Sequence, residues 1–350
     1  MPGRPLAAVA SFVLVLAAAC PATASVPQPL AAFQNQLAAV SMRAPGHVAI
    51  AVQDVATGLT TGINQGVEMP AASTIKIPVM VEVFRQLAAG SFDLNRHMAL
   101  LPRDRDSGSG DLARARTGST YSVGTLLALM IDVSDNTATN MLIRLVGRQR
   151  INSTMRHLGL SHTRLSDFIR SSGPIRWALR SSPSDMVRLL DRMAREQLID
   201  EWSSRAMVAI LRGQQHNGLL PEPLPSGVEI AHKTGTLHDT LNDVGIVYLN
   251  SEPYVIAVMT TDLPTLDAGR RFIRGVSRMA YDALGRFASW REESGYPPFS
   301  LGTAGAPPLE TPDQQMWAPS QPESAAAESP AIPPLVPAVA TAAPETTPGR

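Results

Sequence analysis

A serine and a lysine stand three positions apart in the run Met69-Pro70-Ala71-Ala72-Ser73-Thr74-Ile75-Lys76-Ile77-Pro78. At the head of an apolar stretch, that spacing puts the Ser73 hydroxyl and the Lys76 amine on one face of a helix's first turn. A free hydroxyl is a poor nucleophile at neutral pH, and an amine of lowered pKa can take its proton. Burial and a neighbouring cation would lower the Lys76 pKa in that way. Ser-x-x-Lys alone is a common pattern, so the chemistry depends on partners elsewhere in the chain. Two further polar triplets offer them: Ser134-Asp135-Asn136 and Lys233-Thr234-Gly235.

The surrounding segments read as elements able to hold these groups. Leu30, Phe33, Leu37 and Val40 fall at helical spacing, and residues 47–55 form a strand rich in β-branched side chains, ended by Thr57-Gly58. Residues 62–67 continue a hairpin into the Ser73 helix, which Gly90 stops. The Gly-rich stretch 104–111 lacks the lysine and strand context of a phosphate cradle and reads as a surface loop. Residues 123–133 read as a helix that delivers Ser134-Asp135-Asn136 to the start of another. Further helices are expected at 151–158, 184–195 and 204–212, strands at 244–249 and 254–260, and a closing helix at 266–284. The order does not alternate βαβα, which disfavours a parallel sheet. It predicts an α+β fold (an α/β sandwich), with an antiparallel sheet from both chain ends and an inserted helical subdomain.

Composition narrows the function classes. The 350 residues carry 30 basic and 30 acidic side chains, so no global positive field points to nucleic acid. The single cysteine, Cys20, lies in the leader, which leaves the domain without a disulfide or a cysteine nucleophile. The seven histidines are scattered with no metal-binding spacing, and no metal or other cofactor is expected. Arg4, an apolar stretch over 6–19 and Ala22-Thr23-Ala24 read as a signal peptide spanning residues 1–24. The alternative is a lipoprotein signal in which Cys20 is lipidated; either way the protein is exported, periplasmic or extracellular. No segment after the leader is apolar enough for a transmembrane helix. A catalytic domain over 25–292 is expected, followed by a Pro/Ala-rich disordered tail over 293–350.

The three motifs, in this order and with these separations, resemble the set found in class A β-lactamases and penicillin-binding proteins. The similarity extends over roughly residues 28–290 and implies the β-lactamase fold, a monomer, and a β-lactam or a peptidoglycan stem peptide as the small-molecule partner. Ser73 would be the acylated nucleophile, Lys76 its base, and Ser134 the relay that hands a proton to the leaving nitrogen. Asn136 would bind the substrate amide and hold Lys76, while Lys233 and Thr234 would bind a substrate carboxylate. The resemblance further implies that Lys233-Thr234-Gly235 lies on an edge strand, and that the backbone N–H groups of Ser73 and Thr236 form an oxyanion hole. Competing patterns, such as a Gly-x-Ser-x-Gly elbow, are missing.

The chain departs from that family at two places. Class A β-lactamases free the acyl group with a glutamate in a Glu-x-x-Leu-Asn pattern, and the stretch from Thr163 to Trp177 contains none. Alignment from Thr163-Arg164-Leu165 places Ile169 at the glutamate's position. Asp167 is the only carboxylate between Met141 and Ser184; it either activates the deacylating water or pairs on the surface with Arg164 or Arg170. The second departure is the carboxylate-gripping arginine, missing from the strand after Lys-Thr-Gly; Arg270 at the start of the last helix is the substitute, if not simply a solvated charge. The expected function is therefore hydrolysis of β-lactam rings. The alternatives are a D-alanyl-D-alanine carboxypeptidase or esterase on the same scaffold, or a slow-turnover binder of β-lactams or peptidoglycan.

Overall fold

The computed structural model describes residues 26–172, 176–249 and 252–298. The leader with Cys20, and the tail from Phe299 onward, lie outside the described residues. In chain order the elements are α1 (Gln28–Ser41), β1 (His47–Asp54), β2 (Thr60–Ile63), β3 (Met69–Pro70) and a 3-10 turn (Ala72–Ile75). Then come α2 (Lys76–Ala88), β4 (His97–Ala99), β5 (Thr120–Ser122), α3 (Val123–Asp132), α4 (Asn136–Val146) and α5 (Arg148–His157). The chain continues through β6 (Arg164–Leu165), β7 (Leu179–Ser181), α6 (Pro183–Ala194), α7 (Glu201–Arg212), β8 (Ile230–Thr236), β9 (Leu241–Leu249), β10 (Glu252–Thr261) and α8 (Leu266–Ser294).

Five strands form an antiparallel sheet in the order β2-β1-β10-β9-β8, so the two ends of the chain meet at β1 and β10. Both faces are covered, which is why the strands are apolar almost throughout rather than alternating with polar residues. The period of two divides each strand between two cores. Ile50 and Val52 of β1 pack with Leu30, Phe33 and Leu37 of α1 and with Ile273, Val276 and Phe287 of α8. Ala49 and Ala51 face the other way, into a core shared with Met186, Val187 and Leu190 of α6 and with the helical block α2–α5.

The predicted elements are present, with three corrections, of which the first two bear on the site. Ser73 does not open an α-helix: it sits in the 3-10 turn, and α2 begins at Lys76. In a 3-10 helix residues three apart eclipse one another, so the Ser73–Lys76 spacing still places both on one side. Stretch 104–111 is not a mere surface loop, because Asp104 and Asp106 are buried and hydrogen-bonded to α4 or its side chains. Finally, α8 runs ten residues past Leu284, since Phe287 and Arg291 continue its buried face, and it ends at Gly295 in the left-handed conformation. The domain therefore reaches beyond residue 292, with the Tyr296 ring packed on Trp290.

Candidate active site

A cleft of about 980 Å³ opens where the edge strand β8, the 3-10 turn, the Ser134 corner and the 169–171 segment converge. Ser73, Ser134, Asn136, Thr234, Thr236 and Arg270 line it, while Lys76 and Lys233 lie fully buried against it. Two non-glycine residues in it adopt positive φ, Ala72 at 48° beside the serine and Ser134 at 57°. Such conformations persist only where packing enforces them.

Gly235 explains how β8 comes so close to the serine. A side-chain Cβ there would sit 2.9 Å from the Ala71 carbonyl oxygen and 3.1 Å from the Ser73 backbone nitrogen. Only a residue without a side chain lets the strand pass the turn at this distance. Asn242 on β9 holds the turn from behind, its Nδ2 donating to the Pro70 carbonyl at 2.8 Å.

The Ser134 corner is built by its neighbours. Asp135 caps α4, accepting from the Ala138 N–H at 2.8 Å, and its other oxygen accepts from the Leu112 N–H at 2.9 Å. Gly110 packs directly against this carboxylate, with φ of 79° and no room for a Cβ. Asp135 is thus a structural brace, as its position before a helix suggests.

Lys76 Nζ donates to the Ser134 carbonyl at 2.7 Å, to Ser134 Oγ at 3.0 Å and to Asn136 Oδ1 at 2.8 Å. Lys233 Nζ reaches the same Ser134 Oγ at 3.1 Å and the Thr234 carbonyl at 3.0 Å. Burial holds the Lys76 pKa well below its ordinary value, and the Lys233 charge lowers it further, against Asp135 and Asp106. Burial likewise pushes Lys233 down to about 7, opposed by Asp243 and Asp132. A hydroxyl between two amines has one proton to give. With Lys76 neutral, Ser134 can donate to it while accepting from Lys233, which makes a continuous proton path.

Sequence reasoning missed Asp106. Its carboxylate accepts from Asn136 Nδ2 at 2.7 Å, the Gly108 N–H at 3.0 Å, the Ser171 N–H at 2.6 Å and Ser171 Oγ at 3.0 Å. An ionised carboxylate accepts only, so it forces Asn136 to turn its NH2 toward Asp106 and its oxygen toward Lys76. The hydrogen bonds outweigh burial, and the Asp106 pKa falls below the usual carboxylate value. Three other carboxyl and imidazole groups were also unforeseen. Asp132, close enough to feel Lys233, is pushed up to about 6 by burial. His232 Nδ1 lies 2.9 Å from Asp243 Oδ1, behind Lys233, and its Nε2 lies 3.0 Å from Asn217 Oδ1.

The expectation for Asp167 needs correction. It is exposed, its carboxylate accepts from the next residue's N–H at 2.7 Å, and it is not among the residues lining the cleft. Ile169 lines the cleft instead, buried, with its N–H donating to Asn140 Oδ1 at 2.8 Å and its carbonyl accepting from Asn140 Nδ2 at 3.0 Å. That two-point grip from α4 sets which residue of the segment turns inward. Arg270 does reach the cleft and pairs with Asp267 one turn back. Among the described residues no group of histidine, cysteine and carboxylate side chains is arranged to hold a metal.

Residues 32–284 match the model of the β-lactamase enzyme family. The chain belongs to that family. It is 27% identical over 254 residues to β-lactamase ROB-1 of Haemophilus influenzae, covering 69% of this chain and 81% of that one. The solved structure of PBP-A superposes with a TM-score of 0.70 at 29% identity, covering 73% of this chain and 97% of the other. A β-lactamase from Sphaerobacter thermophilus gives a TM-score of 0.66 at 31% identity, over 74% and 97%. The sheet, the inserted helices and the serine-lysine cleft are thus those of a serine β-lactamase-like hydrolase.

Proposed function

We propose that β-lactams acylate Ser73 and that the ring-opened acyl group leaves it slowly. The observation that carries the proposal is the pair of buried amines meeting at Ser134 Oγ, 3.0 Å from Lys76 and 3.1 Å from Lys233. Neutral Lys76 takes the Ser73 proton as its oxygen attacks the ring carbonyl, and Ser134 passes a proton to the ring nitrogen as the C–N bond breaks. The Ser73 and Thr236 N–H groups stabilise the oxyanion, and Lys233, Thr234 and Arg270 meet the ring carboxylate. Asn136 has a second amide hydrogen for the substrate's side-chain carbonyl. A single-substitution mutant of PBP-A has been solved as its acyl-enzyme complex with penicillin G, which supports β-lactams as ligands of this scaffold.

Slow release is the second half of the reading. The cleft position expected for a deacylating carboxylate is filled by the apolar Ile169, and Asp167 points elsewhere. Asp106 cannot substitute, because both its oxygens are occupied by the four donors described above. A long-lived acyl group favours a penicillin-binding or D-alanyl peptidase role over rapid β-lactam clearance. An exported location, expected from the leader, fits substrates met in the cell envelope.

The test is intact-protein mass spectrometry after mixing with benzylpenicillin. A mass increase of one intact penicillin, lost in Ser73→Ala and persisting for minutes to hours, is expected. Ile169→Glu is expected to shorten the adduct's life at least tenfold. No adduct on the native protein refutes acylation, and an adduct gone within seconds refutes slow release.

A further inference from the structure

Besides Thr234 and Arg270, the cleft is lined by Gly108, Ser109, Arg170 and Ser171. Gly108 and Ser171 lie beside Asn136, because all three donate to the Asp106 carboxylate. A substrate whose amide carbonyl met Asn136 would bring the group beyond that amide near these residues.

Arg170 is the cation there. Its backbone is fixed on both sides, by the Ile169–Asn140 pair of hydrogen bonds and by the Ser171 N–H donating to Asp106. Arg170 is exposed and lines the cleft, and its guanidinium carbon lies 6.0 Å from the centre of the neighbouring Phe168 ring. The other cleft-lining arginines have carboxylates: Arg176 pairs with Asp239 and Asp262, and Arg270 with Asp267. Among the described residues no carboxylate pairs with Arg170.

We infer that Arg170 forms a carboxylate subsite at the acyl end of the cleft, selecting substrates that carry a negative charge beyond the amide Asn136 binds. The ligand class is an acyl donor with two carboxylates, one on the leaving side and one on the acyl side chain. A penicillin with a carboxylated side chain and a peptide with an acidic side chain before the scissile amide both belong to it. Guanidinium and carboxylate are matched for a two-point hydrogen bond, and the bound substrate displaces water that would screen them. The subsite rests on the proposed acylation of Ser73.

The experiment measures acylation efficiency with three penicillins that differ only at the side-chain α-carbon: benzyl (neutral), α-carboxybenzyl (anionic) and α-aminobenzyl (cationic). Each efficiency is divided by that for benzylpenicillin, so general effects of a substitution cancel. In Arg170→Gln the anionic ratio is expected to fall about fivefold to tenfold, the scale of a partly desolvated ion pair. Arg170→Lys retains part of it, and Arg170→Glu reverses the order of the charged pair. For the native protein the anionic ratio also falls as salt rises. Unchanged ratios in Arg170→Gln overturn the subsite while leaving acylation standing. Absence of any Ser73 adduct with benzylpenicillin overturns the proposed function, and the subsite with it.

Discussion

Replacing Asp106 by asparagine keeps the size of the side chain and removes only the charge and one acceptor. The carboxylate accepts four hydrogen bonds, two on each oxygen side: Asn136 Nδ2 and the Gly108 N–H on one, the Ser171 N–H and hydroxyl on the other. An asparagine has to turn its own NH2 toward one of these sides. Toward Asn136 it meets another NH2 unless Asn136 flips, and a flipped Asn136 aims N–H groups at Lys76. Toward Ser171 it opposes a backbone N–H that now lies 2.6 Å from the oxygen. Either way one charge-assisted bond is lost and one buried donor is stranded, at a cost of about 2–4 kcal/mol. For a domain of this size that corresponds to a melting temperature lower by about 5–10 °C. Acylation of Asp106→Asn by benzylpenicillin should slow by about 10- to 100-fold, because the bond from Lys76 to Asn136 is weakened with it. A purely structural defect would stop there. The Asp106 charge raises the Lys76 pKa, so its removal lowers that pKa further. Lys76 acts when neutral, so the acid limb of the pH–rate profile for acylation should move to lower pH. A variant that melts and acylates like the native protein, or whose acid limb moves upward, refutes this account of Asp106.

The glycine of the edge strand and the buried amines offer two further tests. Gly235→Ala puts a Cβ against the Ala71 carbonyl and the Ser73 nitrogen, so β8 must back away from the serine; benzylpenicillin acylation should fall about 100-fold, with about 1–3 kcal/mol of stability lost in urea titrations. Lys233 has a folded pKa of about 7 against an ordinary value of 10.5. Between these values the unfolded chain holds the extra proton, so stability rises with pH from about 7 to about 10. Lys233→Met should reduce that rise by on the order of 4 kcal/mol in urea titrations across this range, and an unaltered slope would show that the amine is not buried as described.

The three motifs and most elements were legible because their signals are local: a spacing of three, a cap before a helix, a β-branched run. Asp106 was not, because its partners Asn136 and Ser171 lie 30 and 65 residues away and nothing in its own neighbourhood marks it. The same holds for the His232–Asp243 pair, whose members face each other only once β8 and β9 are in register. Asp167 against Ile169 is a question of two residues in a segment without periodicity. The Asn140 amide decides it, by gripping the Ile169 backbone from α4. The length of α8 was more accessible. Phe287, Trp290 and Arg291 continue the face that Ala283 and Leu284 present, and Arg291 is buried because it pairs with Asp54 and Glu252.

The pairing of β1 with β10 has a consequence for how the molecule comes into being. His47 stands opposite Thr261 in the ladder, so strands roughly two hundred residues apart in sequence share one sheet. β1 and β2 are near neighbours in sequence, but the other edge of β1 has no partner until β10, about two hundred residues later, has also been made. Such non-local closure makes for slow folding and a prolonged interval in which an apolar strand edge is available to other chains. The setting of the nucleophile depends on the same closure: β8 is held by β9, β9 by β10, and Gly235 on β8 sets the approach to Ser73.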